Sequence, residues 1–140
     1  MTRTKTYTKG FIQLVIAALV AVMKQDAPSI GNPYPSGYMP SKYRGNDDMK
    51  SIVGHIITDE FYDVKFEGHP PCNLEIMTAV GYSLGYALTN DDQELLCTLE
   101  DCHDLASEQV YCNGGDFVER MLDAIEHNID KLPAHFKEYI

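Results

Sequence analysis

Residues Tyr43 to Asp63 read YRGNDDMKSIVGHIITDEFYD: a turn, a short apolar run broken by one glycine and one histidine, and a second turn. Arg44-Gly45-Asn46-Asp47-Asp48 is turn chemistry, because Gly45 accepts positive φ and Asn46 and Asp47 bond readily to nearby backbone. Asp47 or Asp48 is placed to cap a helix through Met49, Ile52, Val53 and Ile56, whose i, i+3, i+4, i+7 spacing predicts a buried face. Gly54 inside that run costs about 1 kcal/mol against alanine in a helix, so its presence predicts close approach by another backbone. Thr58 before Asp59 and Glu60 has the form of a further helix N-cap with favourable first-turn charge. Phe61, Tyr62 and Phe66 are expected at the margin of the core.

Outward toward the N-terminus, residues 26–42 hold Pro28, Pro33, Pro35 and Pro40 with Gly31 and Gly37, which excludes a long helix and predicts a loop. A loop of this length points to recognition as readily as to mere connection. Before it, Phe11 to Val22 is an apolar run behind the basic residues Arg3, Lys5 and Lys9. A basic start and a run this short resemble a secretory leader, but no small-residue cleavage site follows. The run is also short for a membrane span. The reading adopted is a central, apolar core helix from about Thr8 to Lys24.

Outward toward the C-terminus, Gly68-His-Pro-Pro-Cys72 is a break. Asn73 is set to cap a helix reaching about Leu88, with Gly81 and Gly85 allowing tight packing. Thr89 or Asn90 begins a helix to about Ser107, and Asp116 caps one whose apolar face runs from Phe117 to Leu132, with Pro133 near its end. Beyond that, His135 to Ile140 is expected to add a turn or fray. Only Val64–Glu67 reads as a short extended piece. The fold class expected is mainly α: one domain over 1–140, an irregular bundle of five or six helices around the central apolar N-terminal helix.

The formal charge of −10 in 140 residues argues against direct binding to nucleic-acid phosphates, which calls for basic patches. It suits a partner with a basic surface. The acid is uneven: residues 91–130 carry twelve Asp and Glu against Arg120 alone, a segment charge of −11. Glu100, Asp101, Asp104 and Glu108 on the fourth predicted helix are the expected partner-binding residues. Cysteines 72, 97, 102 and 112 make no secreted-type framework, which favours reduced thiols and the cytoplasm.

No P-loop, dinucleotide fingerprint, G-x-S-x-G, H-E-x-x-H or EF-hand loop occurs. Cys102-His103-Asp104 has the residue types of a nucleophile and base, but sequence neighbours on a helix point about 100° apart. A zinc site from Cys97, Cys102, His103 and Cys112 lacks the close ligand pairing that structural zinc prefers. His55 with Asp59 or Glu60 would make an acid–base pair only if His103 converged on it. No catalytic residue, metal or cofactor is assigned.

The central stretch resembles a family of small uncharacterised bacteriophage and prophage proteins. The matching residues are Tyr43, Arg44, Gly45, Gly54, His55, Ile57, Asp59, Glu60, Tyr62, Glu67 and Gly68, and a later Leu96-x-x-Leu99-x-x-x-His103-Asp104. Ser41 and Ser51 stand where that family's pattern has two cysteines, so no metal or redox role carries over to them. The resemblance implies a phage-type setting in a bacterial host and no particular activity. With the acidic charge it gives the first functional expectation: a non-enzymatic accessory protein that inhibits a host nucleic-acid-handling or antiviral defence complex. The alternative is a protein that binds or hydrolyses a nucleotide signal, with Arg44 on phosphate, Tyr43 stacked on the base, and His55, Asp59, Glu60 and His103 nearby. Neither reading involves a membrane.

Overall fold

The computed structural model describes residues 4–139; Arg3 and Ile140 lie outside the described residues. Five α-helices are described: α1 (Phe11–Gln25), α2 (Ile52–Ile56), α3 (Leu74–Leu84), α4 (Asn90–Asn113) and α5 (Phe117–His127). Short 3-10 turns occupy Asn46–Asp48, Val64–Phe66, Ile129–Lys131 and Ala134–Tyr139. Among the described residues the only strand-like pairings are single bridges, Ile30 to Ser41 and Arg44 to Lys50. The chain is therefore the mainly helical bundle that its periodicities predict. Val64–Phe66 forms a turn where a short extended piece was expected.

The five-residue α2 lies against α1, α3 and α4. Ile52, Val53, Gly54 and Ile56 are all buried. Its cap is Ser51, whose Oγ accepts the Gly54 N–H at 3.2 Å, and not Asp47 or Asp48. Those two aspartates adopt left-handed φ of 59° and 61°, so the chain is still turning there. The close approach predicted at Gly54 is present: any Cβ there would be driven into the Tyr43 carbonyl oxygen.

Helix α1 buries Phe11, Val15, Ala18, Leu19 and Val22 and leaves Gln13 and Ala17 in solvent. Its approach is fixed from the start of α4. Asp91 Oδ2 accepts Thr6 N–H at 2.7 Å, and Asp92 accepts both Thr8 N–H at 3.0 Å and the Thr8 hydroxyl at 2.6 Å. Asp92 also closes a capping box with Thr89, which satisfies orphan N–H groups at both ends of the contact. Among the described residues no helix is long and apolar enough to cross a membrane.

Asn73 caps α3 as expected, accepting from Glu75 and Ile76 N–H. The helix stops at Leu84, four residues early, because Gly85 turns left-handed at φ 86°. In contrast, α4 runs six residues beyond Ser107, with no breaker before Gly114, and packs along α5. Asp116 caps α5 as expected, but the helix ends at His127 rather than continuing to Leu132. Asn128 folds back there, its Nδ2 donating to Ala124 O at 2.8 Å. Of the turn or fraying expected at the tail, the described residues show the turn: Ala134–Tyr139 is 3-10 and buries Phe136 completely. Thr58 heads only a turn, its carbonyl accepting from Phe61 and Tyr62 N–H, and no helix follows.

Candidate functional site

Two polar hubs organise the loops that α2 interrupts. The first centres on Glu67. Its Oε1 accepts Tyr43 N–H at 2.8 Å; Oε2 accepts Arg44 N–H at 3.1 Å and the Tyr62 hydroxyl at 2.6 Å. The Arg44 guanidinium donates to Ile57 O at 2.8 Å and pairs with Asp59 at 2.7 Å. It also stacks 4.3 Å above the Tyr62 ring, a favourable cation–π distance. The Tyr43 hydroxyl donates to His69 O at 2.5 Å. Burial, followed by nearby carboxylates, pushes the Tyr43 phenol far above its ordinary value. Tyr43, Arg44, Asp59, Tyr62 and Glu67 from the resembling motif thus form one interlock, with Gly54 providing clearance beneath it.

The second hub is on the inner face of α4. Glu100 is 2 % exposed. Its Oε1 accepts Val53 N–H at 2.8 Å, and Ser51 also hydrogen-bonds its carboxylate, so an acid of α4 satisfies the first turn of α2. Burial first, and then Asp104, push the Glu100 carboxyl up to about 7, against the pull of these bonds. His103 is fully buried. Its Nε2 accepts Ser29 N–H at 3.0 Å, which requires the neutral ring with the proton on Nδ1. That Nδ1–H donates to Asp104 Oδ1 at 3.0 Å.

The donor atoms of Glu100, His103 and Asp104 lie within 4.8 Å of one another. The histidine does not suit a metal there, since one nitrogen carries a proton and the lone pair of the other is taken by Ser29. Cys97, Cys102 and Cys112 are not part of that cluster. Cys102 is directed instead toward Asn128, whose Nδ2 lies 3.7 Å from its sulfur, and burial pushes the Cys102 thiol up to about 11. Cys102 and His103 therefore serve different sides of α4, as their adjacency on a helix requires.

His55 stands apart from the cluster. Its Nε2 donates to Gln25 Oε1 at 2.7 Å, and burial, then Lys50, lower its pKa from the ordinary value. Gln25 in turn pins the loop, exchanging hydrogen bonds with Lys50 N–H and O, both at 3.0 Å. Asp59 is exposed and tied to Arg44, and Glu60 is exposed. The six residues read from sequence as a ligand pocket thus do not converge. Tyr43 borders a polar cleft, while Arg44 and His55 do not.

That cleft, of about 400 Å³, opens between the 38–43 segment, the 67–71 turn and α4. Beside its mouth the loop tip carries exposed Tyr34 and Tyr38. Tyr38 packs edge-on against Tyr111 of α4 with centroids 5.7 Å apart. Burial, then Glu108 and Asp104, raise the Tyr38 phenol, so these two acids are its electrostatic neighbours. Of the residues expected to face a partner, Asp101 and Glu108 are exposed and Asp104 is half-buried. Glu100 is a correction: it points into the core as the cap of α2. Asp91 and Asp92 likewise leave the solvent face. Eight of the twelve acids of 91–130 are exposed.

Sequence reading missed Ser29, Gln25 and Tyr111. The first two act only through partners distant in the chain, and no local pattern marks them. Tyr111 was hidden by ending α4 too early. Comparisons with protein-family models, curated proteins and solved structures find no match.

Proposed function

We propose that the protein acts by binding another protein with a basic surface, through the outer face of the C-terminal half of α4 and the tip of the 26–42 loop. In this reading it is a phage-type accessory protein of the bacterial host cytoplasm that occupies a nucleic-acid-handling or defence complex. The phage setting and the host target rest on the resemblance of the Tyr43–Gly68 motif. The binding mode rests on one observation: exposed Tyr34, Tyr38, Leu105 and Tyr111 lie beside Asp101, Asp104 and Glu108. Tyrosine anchors ringed by charge are the anatomy of an interface hot spot, and the acids would steer a basic partner. A nucleotide reading has less support, because the Arg44 guanidinium is already held by Ile57, Asp59 and Tyr62.

The test is charge reversal at Asp101 and Glu108 together, to lysine. Asp104 is spared because it holds the buried His103. Partners captured from bacterial lysate on the parent protein are purified, and their affinities measured across a salt series. The reversal is expected to weaken association at least tenfold, about 1.4 kcal/mol, and to flatten the salt dependence at an unchanged melting temperature. Undiminished affinity with an unchanged salt slope would refute the reading.

A further inference from the structure

We infer that the cleft between the 38–43 segment, the 67–71 turn and α4 is a socket for a guanidinium group, the arginine side chain of a bound protein. The inference rests on the binding reading above and names the chemistry that the face would recognise.

The cleft is lined by the acidic side chains Glu67 and Asp104, with the buried Glu100 carboxyl behind them, and walled by Tyr38, Tyr43 and Pro70. Two cation-capable groups, Lys42 and His69, share the lining. Among the described residues no ion pair joins Lys42 to any of the three acids. Glu67 spends both oxygens on Tyr43, Arg44 and Tyr62, and Glu100 is held inward by Val53 and Ser51, so these two contribute field rather than free acceptors; Asp104 is fixed from one side by His103. Asp104 Oδ1 takes the His103 proton, and Oδ2 has no partner among the described residues, so one oriented acceptor remains for a ligand. A preorganised acceptor loses little freedom on binding.

The ligand class follows from shape and charge. Two of the walls, Tyr38 and Tyr43, are aromatic rings, and a guanidinium is flat, weakly hydrated, stacks on tyrosine and presents paired N–H donors to carboxylate. An ammonium has the charge without the flat face. A hard metal ion would need several free carboxylate oxygens together, and Glu67 and Glu100 already spend theirs on internal hydrogen bonds.

The test uses the isotope-labelled full chain and three probes: butylguanidinium, butylammonium and the neutral, flat butylurea. At constant ionic strength, butylguanidinium should shift the amides of Tyr43, Gly68 and His69 saturably, with millimolar affinity. Butylammonium should bind several-fold more weakly, and butylurea should leave those amides unmoved. Asp104→Asn, whose amide oxygen still accepts from His103, should lower butylguanidinium affinity at least fivefold while keeping the parent melting temperature. Tyr38→Ala, on the exposed tip, should also lower it. Equal response to butylurea, no saturable shift, full affinity in both variants, or calcium moving the same amides at lower concentration would each overturn the proposal. If butylguanidinium fails while reversal at Asp101 and Glu108 still weakens the partner, the socket is wrong and the acidic face stands. If it binds as described while the reversal changes nothing, the socket stands and the wider face falls.

Discussion

Replacing Glu100 with glutamine should make the protein more stable at pH 8 and leave it nearly unchanged at pH 4.5. Glutamine keeps an acceptor for Val53 N–H but never ionises. The native carboxyl titrates at about 7, against an ordinary value of 4.5. Between those values the native state holds a proton that the unfolded chain has released, so stability falls as pH rises. The contribution is fully present below about 4.5 and lost once pH passes about 7. That interval, at roughly 1.4 kcal/mol per unit, amounts to roughly 3 kcal/mol, a large share of an ordinary domain's 5–15 kcal/mol (about 10). Urea unfolding of both proteins from pH 4 to 9 isolates the effect, since groups common to both cancel. The parent should lose about 3 kcal/mol to the variant between pH 4.5 and 8, with no further change above 8. A gap constant across the range, or one in which the parent gains as pH rises, would show that Val53 and Ser51 fully compensate the buried charge.

Gly54→Ala should unfold the protein or cost at least about 3 kcal/mol, since overpacking against the Tyr43 backbone leaves nothing flexible to yield; thermal melting checks this, and a shift of only a degree or two would be inconsistent with it. Asp92→Ala should cost about 2–3 kcal/mol by removing both the capping box and the tether to Thr8. Hydrogen exchange should then show the amides of 6–10 losing protection ahead of those of α5, and uniform loss would contradict the tether.

The helices were legible because each carries a local signal. Asn73, Thr89 and Asp116 are caps with an apolar period behind them, and each caps in the structure. Gly54 announced its own contact, because nothing but a close neighbour makes glycine useful in a buried helix. What failed did so where distance in the chain decides. Met49 belongs to the periodic set of α2, yet Arg44 pairs with Lys50 and delays the helix to Ile52. Glu100 has the spacing of a surface acid, and only the arrival of the Val53 N–H turns it inward. Arg44 has the chemistry of a phosphate ligand, but Asp59 and Tyr62 hold it first. Composition placed acid on α4 and α5 correctly in bulk and could not say which acids cap and which face water.

A helix of five residues is too short to persist alone, and α2 borrows its first turn from an acid 47 residues later. Within the segment from Gln25 to Phe66, α2 therefore leans on α1 and α4 for its packing and on α4 for its first-turn acceptor. The segment's anchors, Ser29 to His103 and Val53 to Glu100, both end on the same helix. The α4–α5 contact joins neighbours in the chain, whereas these two anchors close loops of 74 and 47 residues. The loop of residues 26–42 is thus tied to α4 through the Ser29–His103 bond, so a change at His103 reaches the outer face from within.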